Sequence, residues 1–156
     1  MIVRKSLFVL FLTVITFVGF SQTKEETVAY VNNILTLHNN GSMFHSLRLL
    51  PNMDVSADLK IFLQGTNSST LSFVFSPKDA LYINTNIKSN GVGTIVISFK
   101  GKSVRIMGDD GKPFQFDDNI TMEGLVSMSS TEMEKVKKAI IHLVALLGGE
   151  IKKDPF

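Results

Sequence analysis

From Ala57 to about Met128 apolar residues recur at every second position, and the breaks between runs are only a few residues long. That period places successive side chains on opposite faces, as in strands with one buried and one wet face. Leu59, Ile61 and Leu63 alternate with Lys60, Phe62 and Gln64 until Gly65-Thr66-Asn67-Ser68-Ser69. Leu71, Phe73 and Phe75 follow, ended by Ser76-Pro77, and then Leu81, Ile83, Thr85 and Ile87. Ser89-Asn90-Gly91 is a strong hairpin signal. Ile95, Ile97 and Phe99 come next, and Lys100-Gly101-Lys102 is short enough to fold the chain straight back into Val104 and Ile106. Asp109-Asp110-Gly111-Lys112-Pro113 makes another turn, Phe114 and Phe116 resume the alternation, and Ile120, Met122, Val126 and Met128 give a last strand. Connections this short join only antiparallel neighbours, because parallel strands need a crossover of about a dozen residues or more. The expected fold is α+β: an antiparallel meander of about six or seven strands, forming a curved sheet or partly open barrel. Doubly wound architectures are excluded.

Two helices bracket the strands. Thr23 and Glu26 form a Thr-x-x-Glu capping box, and Val28, Val31, Ile34 and Leu35 make one apolar stripe that Asn39-Asn40-Gly41 stops. The second helix opens at Ser129-Ser130-Thr131, with Glu132 and Glu134 as capping partners. Its stripe is Met133, Val136, Ile140, Leu143, Val144 and Leu147, and Gly148-Gly149 ends it. Ala139, Ile141, Ala145 and Leu146 widen the apolar arc, so this amphipathic C-terminal helix is expected to be largely buried. Residues 42–56 are the least legible stretch: Phe44, Leu47, Leu49 and Leu50 fit either a short strand or a helical turn before Pro51.

The N-terminus carries a different message. Arg4 and Lys5 precede Leu7–Phe20, a run of fourteen residues broken only by Thr13, Thr16 and Gly19. A positive start, a short apolar run and small residues at Gly19 and Ser21 predict a secretory signal over residues 1–21, cleaved before Gln22. The run is shorter than the roughly 20 residues that span a bilayer. The organisation expected is therefore signal peptide 1–21, one α+β domain over 22–149 and a polar tail over 150–156. Losing Arg4 and Lys5 takes the 16 Lys+Arg to 14, equal to the 14 Asp+Glu. A chain of zero net charge lacks the clustered cations that nucleic acid requires. There is no cysteine, so disulfides, thiol catalysis and a cysteine-linked lipid anchor are impossible. An exported, cysteine-free domain of this size suits a bacterial periplasm or exterior. The sequons at Asn40, Asn67 and Asn119 would matter only in a eukaryotic secretory route.

Strands in antiparallel meander followed by one amphipathic helix resemble the element order of pleckstrin-homology-like domains, over roughly Phe44 to Gly149. The ending from Lys138 to Gly149 is similar to that of small uncharacterised exported bacterial proteins. Neither resemblance supplies a functional residue. Lys100, Lys102 and Arg105 are the nearest approach to a basic cluster, which falls short of a phosphoinositide site.

No chemistry-bearing motif stands out. His38 and His45 match no zinc spacing, and His142 lies on the polar side of the last helix. Asp109-Asp110 and Asp117-Asp118 flank the Phe114–Phe116 strand, but turn chemistry accounts for Asp-Gly better than calcium does. Gly91-Val92-Gly93 lacks the third glycine and following helix of a phosphate loop, and no serine sits in a Gly-x-Ser-x-Gly elbow. No catalytic residue, metal ligand or cofactor is expected. The reading is a non-enzymatic exported module that binds a protein partner or a small apolar ligand through its sheet face or barrel end. The alternatives are a hydrolase with an unrecognised active site and a structural envelope component.

Overall fold

A computed structural model describes residues 22–62, 68–108 and 110–152. The expected signal over residues 1–21 lies outside them, as do Leu63, Gln64, Asn67, Asp109 and residues 153–156. The described chain is α+β. Helix α1 (Lys24–Leu37) and strands β1 (Met43–Leu49), β2 (Val55–Phe62) and β3 (Ser68–Phe75) come first. A 3-10 turn at Pro77–Asp79 leads to β4 (Ala80–Ile87), β5 (Val92–Phe99), β6 (Val104–Met107), β7 (Pro113–Asp117) and β8 (Asn119–Val126). Helix α2 (Ser130–Leu146) follows. The strands form a five-stranded antiparallel sheet, β1-β2-β3-β6-β7, and a three-stranded one, β4-β5-β8. They do not close into a barrel.

The registers explain the split. Val74 faces Arg105 across β3 and β6, and Ile83 faces Ile97 across β4 and β5. Both pairings belong to one long hairpin turning at Lys88–Gly91, so β3–β4 and β5–β6 are two strands that each bend from one sheet into the other. A second long hairpin pairs β6 with β7 and β5 with β8. The three bends fall side by side and are stitched together: the Lys100 amide donates to the Asp79 carbonyl at 2.8 Å, and the Phe99 amide to the Asp118 carbonyl at 2.8 Å. Here the structure corrects the sequence reading. Ser76-Pro77 and Lys100-Gly101-Lys102 do not reverse the chain; they carry it round this corner, so β5 and β6 are not paired.

The sequence marks about six or seven strands, and the structure has eight segments among the described residues, β1 being the addition from the illegible stretch. The reason is its pattern. His45 and Leu47 face inward while Phe44 faces outward, so polarity does not report the face. β5 is the opposite case, with Gly93, Ile95, Ile97 and Phe99 all buried in strict alternation. On β2, Val55 and Ala57 are buried, whereas Leu59 and Ile61 share their face but emerge half-buried as the strand twists away.

The core lies between the two sheets and under both helices. Ile95, Ile97, Phe99, Ile120, Met122 and Leu125 meet Val31 and Leu35 of α1 and the stripe of α2. All six predicted α2 residues, from Met133 to Leu147, are buried. The wider arc divides: Ala139 and Ile141 pack half-buried against the core, whereas Ala145 is exposed and Leu146 is 39% exposed. Both capping boxes form as read, Thr23 with Glu26 and Ser129 with Glu132. At the end of α2, Gly148 adopts φ +82° while the Gly149 amide returns to the Val144 carbonyl and that of Gly148 to Ala145. This is the Schellman arrangement. A Cβ on Gly149 would stand 2.2 Å from the Pro77 carbonyl oxygen, so glycine is required there. The tail does not leave the surface at once: Ile151 packs on the core and the Lys152 amide donates to Leu81 of β4.

Candidate functional site

Each open sheet edge offers a row of unpaired backbone groups that must be covered or left available. Two edges are covered from α1. The Asn32 side-chain amide donates to the Leu47 carbonyl at 2.8 Å and accepts from the Leu47 amide at 2.7 Å, standing in for a neighbouring strand on β1. His38, the C-cap of α1, does the same for β8: its Nδ1 donates to the Val126 carbonyl at 2.9 Å while its own carbonyl accepts from the Val126 amide. Three residues along, buried His45 reaches from β1 to donate Nε2–H to the Glu123 carbonyl at 2.8 Å. Burial pulls the His45 imidazole below its ordinary pKa, with the Glu123 carbonyl only partly opposing. Two of the three histidines are therefore brought to one strand edge, and there they act as hydrogen-bond donors. His142 is exposed and lies apart, near the Gln22 carbonyl.

The edge at β7 is bare. Among the described residues it has one neighbour, β6. The register sets Gln115 opposite Ile106 and Phe116 opposite Arg105. Val104 and Ile106 hold the core side, so Phe116, opposite Arg105, points outward and is 52% exposed, while Phe114, 61% exposed, is the extra residue of a bulge between Gln115 and Pro113 and its ring borders Gly108. The sequence reading had them resume the strand alternation, which leaves their face open. Alternation marks two faces but not which one the neighbouring strand turns inward.

This outer face has a fixed polar centre. Arg105 Nη2 lies 2.7 Å from Asp54 Oδ2, Arg48 Nε lies 3.2 Å from Asp58 Oδ2, and Ser56 Oγ donates to Asp58 at 2.6 Å. Burial pushes the Asp58 carboxyl up, but the hydroxyls of Ser56 and Ser72 and the Arg48 guanidinium together hold it below its ordinary value. At the far end Phe44 and Phe62 pack edge to face at 5.1 Å, with Lys60 over the Phe62 ring. Of the basic residues read as a weak cluster, Arg105 is thus engaged by Asp54, and Lys100 and Lys102 are exposed at the corner.

Of the acidic pairs, Asp110 and Asp117 serve turns. Asp110 Oδ1 accepts from the Lys112 amide, and Asp117 Oδ1 from the amides of Asp118 and Asn119. Among the described residues no three His, Asp or Glu side chains converge to hold a metal ion, and no helix is long and apolar enough to cross a membrane. Gly91 takes φ +78° at the hairpin. Gly93 lies under α2, where a Cβ would meet the Met133 methyl at 2.5 Å. A half-enclosed groove of about 320 Å³ lies between β4 and α2, lined by Tyr82, Ile141 and Ile151 among others. Compared with family models, curated proteins and solved structures, the chain matches none.

Proposed function

We propose that this chain is an exported, non-enzymatic module that docks a protein partner on the bare edge and outer face of β7. The observation that carries the reading is the exposure of Phe114 and Phe116 on a strand with a free edge. Aromatic side chains supply most of the burial energy of protein interfaces, and a free edge offers backbone partners for an added strand. An uncovered edge of this kind also invites aggregation, and the same chain covers its β1 and β8 edges from α1. A closed apolar cavity would have favoured a small apolar ligand; the groove beside β4 is half-enclosed. Export is inferred from residues 1–21, with the periplasm or exterior of a bacterium as destination.

The test is crosslinking in the native envelope. The double variant Phe114→Ser, Phe116→Ser should lose the adducts that the unaltered protein forms, at an unchanged melting temperature. Retention of the same adducts would overturn the assignment of the site. Intact-mass analysis of the exported product should give a chain beginning at Gln22.

A further inference from the structure

We infer that the groove between β4 and α2 binds a small amphipathic anion, a carboxylate with a short aliphatic or aromatic body; the inference is independent of β7. The walls come from three elements. β4 contributes Tyr82 to Asn84, one turn of α2 contributes Lys137 and Ile141, and the chain leaving α2 contributes Ile151 and Lys152. That last wall is held in place. The Lys152 amide donates to the Leu81 carbonyl at 2.9 Å, Ile151 packs on the core, and Gly149 passes against Pro77 where no side chain would fit. The groove is therefore formed by the fold itself, and a ligand need not order it.

Its chemistry has two parts. Tyr82, Ile141 and Ile151 are half-buried and supply an apolar surface. Lys137 and Lys152 add two cations, and no carboxylate stands among the described lining residues. Neither lysine forms an ion pair among the described residues; Glu134, on the preceding turn of α2, lies 3.9 Å from Lys138 instead. On the outer face of the larger sheet the chain does the opposite, setting Asp54 against Arg105 and Asp58 against Arg48. Two unopposed cations beside an apolar wall match an anion that carries an apolar body. A wholly apolar ligand would give the lysines no partner, and a bare anion would leave the isoleucines wet. The half-enclosed shape agrees, since the body can be covered while the charged end stays where water reaches it. Size excludes larger occupants. Lys137 to Ile141 is one helical turn, about 6 Å, and Tyr82 to Asn84 covers about 7 Å of strand. The volume of about 320 Å³ falls at the lower end of small-molecule sites, roughly 300–1,000 Å³.

Octanoate is the probe, titrated into the isotope-labelled chain from Gln22 onward and followed by amide chemical shifts. Saturable shifts centred on Tyr82, Ile141 and Ile151 are expected, with a Kd on the order of 0.1–1 mM for a ligand of so few atoms. Absence of saturation below the micelle concentration, or shifts confined to another surface, overturns the site. Octanamide, with the same body and no charge, should bind at least about threefold more weakly; equal binding overturns the anion. Acetate, the head without the body, should not saturate, and saturable acetate binding overturns the apolar half. Lys137→Gln with Lys152→Gln should weaken octanoate about three- to tenfold at an unchanged melting temperature, because neither ammonium is engaged in the fold. An unaltered affinity in that folded variant overturns the assignment of the two lysines.

Discussion

The β1 and β8 edges and the β7 edge belong to the same bent sheet system, yet the chain treats them in opposite ways. At Leu47 and Val126 the free backbone groups meet reciprocal hydrogen bonds from Asn32 and His38, and α1 lies along the opening between the two strands. At β7 the side chains beside the free edge are two exposed phenylalanines. Covering an edge removes unsatisfied backbone groups from solvent competition and forbids strand addition. Leaving one bare keeps that addition available. The difference suggests that stability is concentrated on the α1 side and recognition on the β7 side, and each half of that statement can be broken separately.

The largest effect is expected beneath the helices. Val136 is fully buried on α2, so Val136→Asp places an unpaired charge in the core and should destabilise the domain by about 4 kcal/mol. Chemical denaturation measures it, and an unchanged midpoint would mean that α2 does not pack as described. Asn32→Ala should cost about 2 kcal/mol, because the Leu47 amide and carbonyl both lose their partner; a neutral result would remove the edge cap from the comparison. Next comes a pH dependence. His45 is held neutral in the folded chain by burial, while in the unfolded chain it takes a proton near its ordinary value of 6.5. The unfolded state therefore binds more protons below that pH, and stability falls as pH drops through 6.5 toward the lowered folded value. His45→Gln should flatten this slope, as read from melting temperatures across mildly acidic buffers. The smallest effect is on the other side: Phe114→Ser with Phe116→Ser should change stability by no more than about 0.5 kcal/mol. A large loss there would show that β7 supports the fold.

The sequence made the helices and most strands legible because their burial follows a simple period. The six-residue stripe of α2 and the alternation of β5 needed nothing beyond local spacing. β1 escaped because its inward positions include a histidine whose partner, the Glu123 carbonyl, is 78 residues away. The corner escaped because Ser76-Pro77 and Lys100-Gly101-Lys102 have turn-like composition, and composition does not say whether a chain reverses or bends. The candidate site was invisible for the same kind of reason. Phe114 and Phe116 look like core residues until Arg105 on the neighbouring strand turns Phe116 outward and a bulge leaves Phe114 unpaired, and an edge is defined by which strands fail to pair.

The corner has a consequence for how the molecule comes apart. Three chain segments cross it, at Ser76–Asp79, Phe99–Ser103 and Asp117–Asn119, so each sheet borrows strands whose other halves lie in its neighbour. Neither sheet can assemble first as an independent piece: four of the six strand pairings join consecutive strands, but β3–β6 and β5–β8 form only once the corner is made. Such a topology should melt in one all-or-none transition. Fluorescence from a tryptophan placed on the three-stranded sheet and one on the five-stranded sheet should therefore decay with a single shared rate.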